Sequence, residues 1–317
     1  MQLQRQLAYP LRRPGTFALC VLGVLVLLGV VATFDYITLL FDPATDNAIT
    51  FEVPTFDEAT HTYSTAQPQL IPKIIHQTWK NETVPEKWKA AQATCTAMHP
   101  DFEYMLWTDA SAREFISTQY PWFLETYDSY PFPIMRADAI RYFVLAHYGG
   151  IYIDLDEGCQ SRLDPLLTYP AWVRKADPTG ISNSVMGSTP NHPFFLRVML
   201  ELKNYNFNWG VPYITVMYAT GPLYLSVVWK QFKRWATSDA EQLWILMPAV
   251  PGAAYFNDLH GSSWHEDDAK WIMYLGLHWL FFTIIGFVLA AVVGLSSYLA
   301  VRRYRSKQVK YYKQLQA

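Results

Sequence analysis

Charge is what this sequence has least of. Asp, Glu, Lys and Arg make up 16% of its 317 residues, against 51% hydrophobic and 16% aromatic, which an ordinary soluble domain does not account for. Two runs, residues 17–34 and 271–301, contain no Asp, Glu, Lys or Arg at all, and membrane spans there would absorb the apolar excess. A formal net charge of -2 argues against the basic face that a nucleic-acid binder carries, so no nucleic-acid partner is expected. Cysteine is scarce too. Of the three, Cys20 lies in the first apolar run, which leaves Cys95 and Cys159 either as the one possible pair or as free thiols.

The run Phe17 to Phe34 is 18 residues long, enough for a transmembrane helix with Asp35 at its far edge. Arg5, Arg12 and Arg13 precede it. Asp35, Asp42, Asp46, Glu52, Asp57 and Glu58 follow before the next cation, Lys73, so the positive-inside bias puts residues 1–16 in the cytosol. The stretch exceeds the core of a signal peptide and no small-residue cleavage site follows it, which weighs against a cleaved leader. From Phe41 to Pro68 the chain is polar, with Pro, Thr, Asp and Ser and little periodicity, and residues 35–70 read as a lumenal stem. Residues 271–301 read as a second span with His278 as its one imidazole and no Asp, Glu, Lys or Arg, and 302–317 as a basic cytosolic tail. Both termini are then cytosolic. Residues 71–270 form a lumenal domain tied to the bilayer at both ends, an arrangement that favours an acceptor in the membrane. The sequon Asn81-Glu82-Thr83 is usable only on that side. Residues 204–229 are also uncharged, but Asn206, Asn208, Gly210, Pro212, Gly221 and Pro222 make a poor lipid-exposed helix; most of the stretch reads as buried core, with an apolar aromatic surface suited to a lipid interface.

Between the spans, strands alternate with helices. Pro72 introduces a strand over Lys73 to Trp79, Pro85 starts a helix over Glu86 to Met98, Glu103 to Trp107 is a second strand, and Asp109 caps a helix over 110–119. An amphipathic helix then leads through Gly149-Gly150 into the apolar strand Ile151 to Ile153. Later, His192-Pro193 begins a helix to about Lys203, and Leu243 to Met247 is a late strand. This alternation predicts an α/β sandwich with ligands at the carboxyl ends of its strands.

Asp154 and Asp156 fall at such an end. In extended chain, residues two apart face the same way, so both carboxylates would point at one spot. They repel unless one protonates or a hard cation such as Mg2+ or Mn2+ sits between them. An Asp-x-Asp occurs by chance in roughly half of chains this long, so placement carries the signal. The strand ends at the pair, a glycine turn precedes it, and the helix before puts Asp138 and Arg141 on one face at i, i+3, either as groups for sugar hydroxyls and phosphate or as a surface ion pair.

The run from Asp138 through Arg141 to Asp154 and Asp156, preceded by IPKIIHQTW at 71–79, resembles the DXD glycosyltransferases related to the yeast initiating α-1,6-mannosyltransferase. With GSSWHEDDA at 261–269 and a span at each end, the chain is most similar to the catalytic subunits of fungal mannosyl inositol phosphorylceramide synthases, over roughly residues 70–270. The resemblance implies a GT-A-like nucleotide-sugar transferase domain with a mixed central sheet, flanked by one N-terminal and one C-terminal transmembrane helix. It implies a retaining transfer of mannose from GDP-mannose to inositol phosphorylceramide, in the Golgi membrane, alongside a multi-pass regulatory subunit. Asp138 and Arg141 would hold donor hydroxyls. Asp154, Asp156 and His265, preferred over His260, would hold Mn2+ or Mg2+, and Ser263 and Trp264 would flank the diphosphate. His76 and Gln77 would bond the base edge, with Trp79 either stacked on the base or a core anchor. Asn183 either orients acceptor or sugar, or is an ordinary turn residue.

Two other classes stay open. The same machinery serves a glycan mannosyltransferase or a glycolipid galactosyltransferase, although the second span argues for lipid. A non-enzymatic membrane subunit retaining the fold would tolerate loss of a DXD carboxylate, and both are present.

Overall fold

A computed structural model of the chain describes residues 14–45, 47–58, 62–64, 67–234, 238, 241–248, 252–259, 261 and 267–315. The chain divides into two compact units, Met1–Ser262 and Ser263–Ala317.

The first unit begins with helix α1 (Pro14–Leu39), followed by strands β1 (Ala48–Ile49), β2 (Thr55–Asp57), β3 (Thr62–Ser64) and β4 (Ile74–Thr78). Next come α2 (Glu86–Met98), β5 (Glu103–Trp107), α3 (Asp109–Gln119), α4 (Leu124–Ser129), α5 (Pro133–Tyr148), β6 (Gly150–Ile153) and β7 (Glu157–Cys159). After a 3-10 turn at Asp164–Thr168 follow β8 (Ala171–Lys175), β9 (Ile181–Ser188), α6 (Pro193–Tyr205), α7 (Pro212–Ala219), α8 (Pro222–Phe232), β10 (Trp244–Leu246) and β11 (Phe256–Asp258). The second unit holds α9 (Asp267–Leu277) and α10 (Trp279–Leu315).

Among the described residues the central sheet has seven strands in the order β1-β10-β8-β9-β6-β4-β5, all parallel to their neighbours except β9, which runs antiparallel between β8 and β6. This is the α/β architecture that the alternation predicts, with the mixed sheet that the resemblance implies. Because only β9 is reversed, the carboxyl ends of the other six strands share one edge, and the DXD segment leaves the sheet there. Side chains alternate across the plane. Ile75, Ile151 and Ile153 enter a core cluster with Cys95, Leu166 and Trp172, while Tyr152 faces α5, with the Arg141 guanidinium 4.7 Å above its ring.

The helix α5 departs from the amphipathic reading. Every residue from Asp138 to Ala146 is buried, because the helix packs on β4, β6 and β9 on one side and on α3, α4, α6 and α7 around the rest; a helix enclosed on all sides has no solvent face to pattern. Pro133 sits in its first turn, where the missing N–H costs nothing.

Other expectations shift by a residue or by a role. Helix α2 and strand β5 have the predicted bounds. At α3 the cap is Thr108, not Asp109: its hydroxyl accepts from the Ser111 N–H, and the Ser111 hydroxyl accepts in turn from the Thr108 N–H. The stretch after the first span is less of a tether than its composition suggests. Leu39, Ala44 and Ile49 are buried, and β1 joins the edge of the central sheet beside β10, so the folded unit starts well before Ile71.

Two helical segments are long and apolar enough to cross a membrane, Cys20–Leu39 and Trp279–Tyr304. The second is shorter at its start than the 271–301 reading, since the helix is interrupted at His278, which leaves Trp271 and Tyr274 on α9. The end of α1 is fastened to α8 within the first unit. Lys230 Nζ pairs with Asp42 at 2.6 Å, Arg234 pairs with Asp35, and Gln231 Nε2 donates to Asp35 at 3.1 Å.

Candidate active site

The site is built at the carboxyl end of β6, and two glycines make the approach to it. Gly149 and Gly150 have φ of 69° and 90°, and a Cβ on either would lie 2.7 Å from a backbone carbonyl oxygen, of Ser188 and Ile74 respectively. The chain can therefore turn from α5 directly into β6 against its neighbours only without side chains there.

Past Ile153 the chain leaves the extended conformation. The Asp154 N–H still bonds the Ser184 carbonyl of β9 at 2.8 Å, but the Glu157 N–H returns to the Asp154 carbonyl at 3.0 Å, so Asp154 to Glu157 is a turn. The premise of strand alternation across the two carboxylates is thus corrected. They are brought near each other by a turn, and Leu155 between them is buried in an apolar cluster with Val84 and Trp88. Asp156 is fixed from a distant segment: its Oδ2 accepts the Gly261 N–H at 2.9 Å, and its carbonyl accepts the Leu259 N–H at 2.9 Å. Any side chain at 261 would collide with that carboxylate, since a Cβ would lie 2.2 Å from Oδ2.

Behind this turn lies a buried polar network. Arg141 Nη2 is 3.1 Å from Asp138, as the i, i+3 spacing predicts, and Nη1 is 3.2 Å from Asp154 and donates to the Asn183 carbonyl at 2.8 Å. Asp138 accepts from Asn183 Nδ2 at 2.9 Å and from the Thr220 hydroxyl at 3.0 Å. Tyr142 accepts from Asn183 Nδ2 at 3.1 Å and donates to the Thr220 carbonyl at 2.7 Å. Asp138, Arg141 and Asn183 are 4%, 3% and 5% exposed, which rules out the surface ion pair. Asn183 is a β9 residue, not a turn residue.

Burial sets the electrostatics. It pushes the Asp154 carboxyl up to about 6, opposed by Arg141 and the Tyr152 hydroxyl and reinforced by Asp156 and Asp138. Asp138 is also raised by burial, which Arg141, Thr220 and Asn183 offset in part. For Arg141, burial works against its charge, and Asp154, Tyr152 and Asp138 outweigh it, so the guanidinium stays protonated. Glu157, next to the motif, is raised to about 7 by burial and is paired with Arg174 of β8.

The residues expected at the base lie deeper. His76 is fully buried, with both ring nitrogens engaged: Nε2 meets the Gly149 carbonyl at 2.9 Å and Nδ1 accepts from Trp107 Nε1 at 3.1 Å. Gln77 is fully buried with its Oε1 accepting from the Tyr104 hydroxyl at 2.8 Å. Both ring nitrogens of His76 are thus taken, whereas Gln77 Nε2 is buried with no hydrogen-bond partner among the described residues. Trp79 is half-buried against the cluster of Leu155, Val84 and Trp88, as the core-anchor alternative has it, and its Nε1 is buried with no hydrogen-bond partner among the described residues.

His260, Ser263, Trp264 and His265 lie outside the described residues. Of that late segment Gly261 is described, and it meets Asp156. Thr220, Tyr142 and Tyr152 were missed by sequence reading. Thr220 follows α7, 82 residues from Asp138, and no local pattern marks it. Cys95 and Cys159 form a disulfide that ties α2 to β7, just beyond the motif.

A family of glycosyltransferase sugar-binding regions containing a DXD motif matches residues 85–172, which include Asp138, Arg141, Asp154 and Asp156. The mannosyl phosphorylinositol ceramide synthase SUR1 of Saccharomyces cerevisiae is 48% identical over 282 residues, 88% of this chain and 72% of that protein. Inositol phosphoceramide mannosyltransferase 3 of Schizosaccharomyces pombe is 51% identical over 241 residues, 75% of this chain and 68% of that protein. The initiation-specific alpha-1,6-mannosyltransferase of Saccharomyces cerevisiae is 31% identical over 109 residues, 32% of this chain and 22% of that protein.

Proposed function

The chain belongs to the inositol phosphoceramide mannosyltransferase family of DXD glycosyltransferases, and from that membership we propose how its site holds donor, metal and acceptor. The protein is a mannosyltransferase that makes mannosyl phosphorylinositol ceramide. The donor is GDP-mannose, and the observation that carries the assignment of the site is Arg141 held between Asp138 and Asp154 directly behind the DXD turn.

The residues present fit a divalent cation, Mn2+ or Mg2+. Asp156 has one carboxylate oxygen fixed by Gly261, while Oδ1 has no hydrogen-bond partner among the described residues, and Asp154 lies beside it. Among the described residues no group of three or more His, Cys, Asp or Glu could hold a metal. Asp156 and Asp154 would therefore supply the protein oxygens, with diphosphate and water completing the shell, as is usual for hard cations on phosphates. His265, the expected third ligand, lies outside the described residues, as do Ser263 and Trp264 at the diphosphate. When bound, the cation supplies positive charge to the departing diphosphate.

Asp138 and Arg141 hold hydroxyls of the donor, and Asn183 and Thr220 keep both in register. The half-buried Trp79 stacks on the base. The inositol hydroxyl attacks on the face that the diphosphate leaves, with retention, and its proton passes to the departing phosphate.

The protein is membrane-associated through its two apolar helices. We place the first unit's sheet domain in the Golgi lumen with both termini cytosolic. The Cys95–Cys159 disulfide and an exposed Asn81 in the sequon support an oxidising, glycosylating compartment. A multi-pass regulatory subunit would meet the chain at its spans, where Phe281, Phe287 and Tyr298 are exposed.

The test is transfer from radiolabelled GDP-mannose to inositol phosphorylceramide in membranes carrying the chain, with and without Mn2+, and with Asp156→Asn as control. A metal-dependent mannolipid absent from the variant is expected. Transfer that persists in Asp156→Asn at saturating metal would remove that residue from the metal site.

A further inference from the structure

The loop between α6 and α7 displays two large aromatic side chains that the described residues of the first unit leave mostly uncovered. Phe207 is 60% exposed and Trp209 is 51% exposed. They are not the tip of a slack segment. The Trp209 N–H donates to the buried Thr215 hydroxyl at 3.1 Å, the Gly210 N–H to Asn208 Oδ1 at 2.8 Å, and Asn206 Nδ2 to the Ser129 hydroxyl at 3.0 Å. Gly210 supplies the φ of 74° that the turn needs. The loop is thus built in one shape, and that shape turns its aromatics outward.

Its position decides what they face. Phe207 packs on Trp209 with ring centroids 5.1 Å apart, Trp209 on Tyr218 of α7 at 5.4 Å, and Tyr218 on Tyr36 of α1 at 5.1 Å. Tyr36 stands in the last turns of the apolar segment Cys20–Leu39, next to Asp35, the first charge after the uncharged run. The ladder of rings therefore starts where α1 leaves the bilayer and ends at the exposed pair. The apolar surface continues at the end of α1 and just past it, where Ile37, Leu40 and Phe41 are exposed. Cations stand beside them: the Arg234 guanidinium, paired with Asp35, lies 5.7 Å from the Phe34 ring centre, and Lys230 and Lys233, both paired with Asp42, line the same recess. Aromatic rings with basic side chains at the end of a span mark the headgroup level of a bilayer.

We propose that residues 206–211 form a membrane-interface finger, in which Phe207 and Trp209 enter the headgroup–acyl boundary beside the exit of α1. The finger is continuous with the site. It feeds α7, and α7 ends at Thr220, whose hydroxyl bonds Asp138. The bilayer surface is thereby held against the α7 side of the donor pocket, and a lipid acceptor reaches the site without leaving the membrane. This last part rests on the lipid-acceptor reading above; the insertion of the finger does not.

The test uses the full chain in phospholipid nanodiscs. Cys20→Ser removes the free thiol, Cys95 and Cys159 are protected by their disulfide, and a nitroxide is placed through Phe207→Cys. A second label through Glu114→Cys, on the exposed face of α3, is the aqueous reference. Electron paramagnetic resonance power saturation is expected to find the label at 207 more accessible to oxygen than to a water-soluble nickel chelate, with the reverse at 114. A water-accessible label at 207 overturns the proposal. In a second arm, Phe207→Ser with Trp209→Ser is expected to raise KM for the lipid acceptor about tenfold while leaving acceptor-free hydrolysis of GDP-mannose unchanged. An unchanged KM overturns the acceptor-entry part. If the unaltered chain transfers mannose to no lipid, the functional reading fails, and the labelling result still decides the finger.

Discussion

The guanidinium of Arg141 lies 3.2 Å from the carboxylate of Asp154, joining the helix that enters the site to the turn that forms it. The same group reaches Asp138 and the Asn183 carbonyl, so one planar fork sets the relative positions of three segments. Lysine carries the charge but not the fork. Arg141→Lys is therefore expected to lower kcat/KM for mannose transfer about a hundredfold or more. A near-native circular dichroism spectrum would place the loss in the site, whereas activity within a few-fold of the parent would refute this role.

Thr220 acts on Asp138 through one hydroxyl. Thr220→Val keeps the shape and leaves a buried carboxylate short of a donor, at a cost of about 1–3 kcal/mol. Transfer should fall about tenfold, and Thr220→Ser should restore most of it. A serine variant as impaired as the valine one would show that the methyl, and not the hydrogen bond, matters.

The disulfide closes a long loop, with its cysteines 64 residues apart. Restricting that loop in the unfolded chain is worth about 4 kcal/mol. Replacing both cysteines by Ala, or reducing the bond, should lower the denaturant midpoint of the detergent-solubilised protein accordingly. Equal midpoints for oxidised and reduced protein would contradict the link.

Burial lowers His76 to about 4 from its ordinary 6.5. The folded protein keeps this imidazole neutral while the unfolded chain protonates it first, so its contribution is complete above about pH 6.5 and is lost as pH falls towards about 4. That window is worth about 3 kcal/mol. Denaturant midpoints of the parent and His76→Gln should differ most near pH 7 and least near pH 4. Parallel pH profiles would mean that His76 titrates normally.

Asn81 is exposed in the loop between β4 and α2. If the sheet domain is lumenal, glycosidase treatment should shift the chain's mobility on a gel, and Asn81→Gln should remove the shift. A chain that never shifts would count against the orientation.

Local chemistry made much of this legible. Pro85 before Glu86 to Met98 and the apolar pattern of β5 specify their own elements, because turn-forming residues and periodicity act within a few positions. The pairing of Asp138 with Arg141 follows from helical geometry alone. His76 and Gln77 illustrate the limit. Their polar side chains at a strand end suggest a ligand contact, but their partners, Gly149, Trp107 and Tyr104, come from other segments and draw them into the interior.

Near neighbours along the chain are enough to mark the two apolar runs, the alternating elements from β4 to β6 and the position of the paired carboxylates. The folded chain alone shows that Asp154 and Asp156 meet through a turn, that Gly261 comes in to hold Asp156, that Thr220 bonds Asp138, that Cys95 finds Cys159, and that β1 belongs to the sheet. Each of these joins residues from segments far apart, or bends the chain because such a partner is in place. They exist once the core has closed, and no local pattern encodes them.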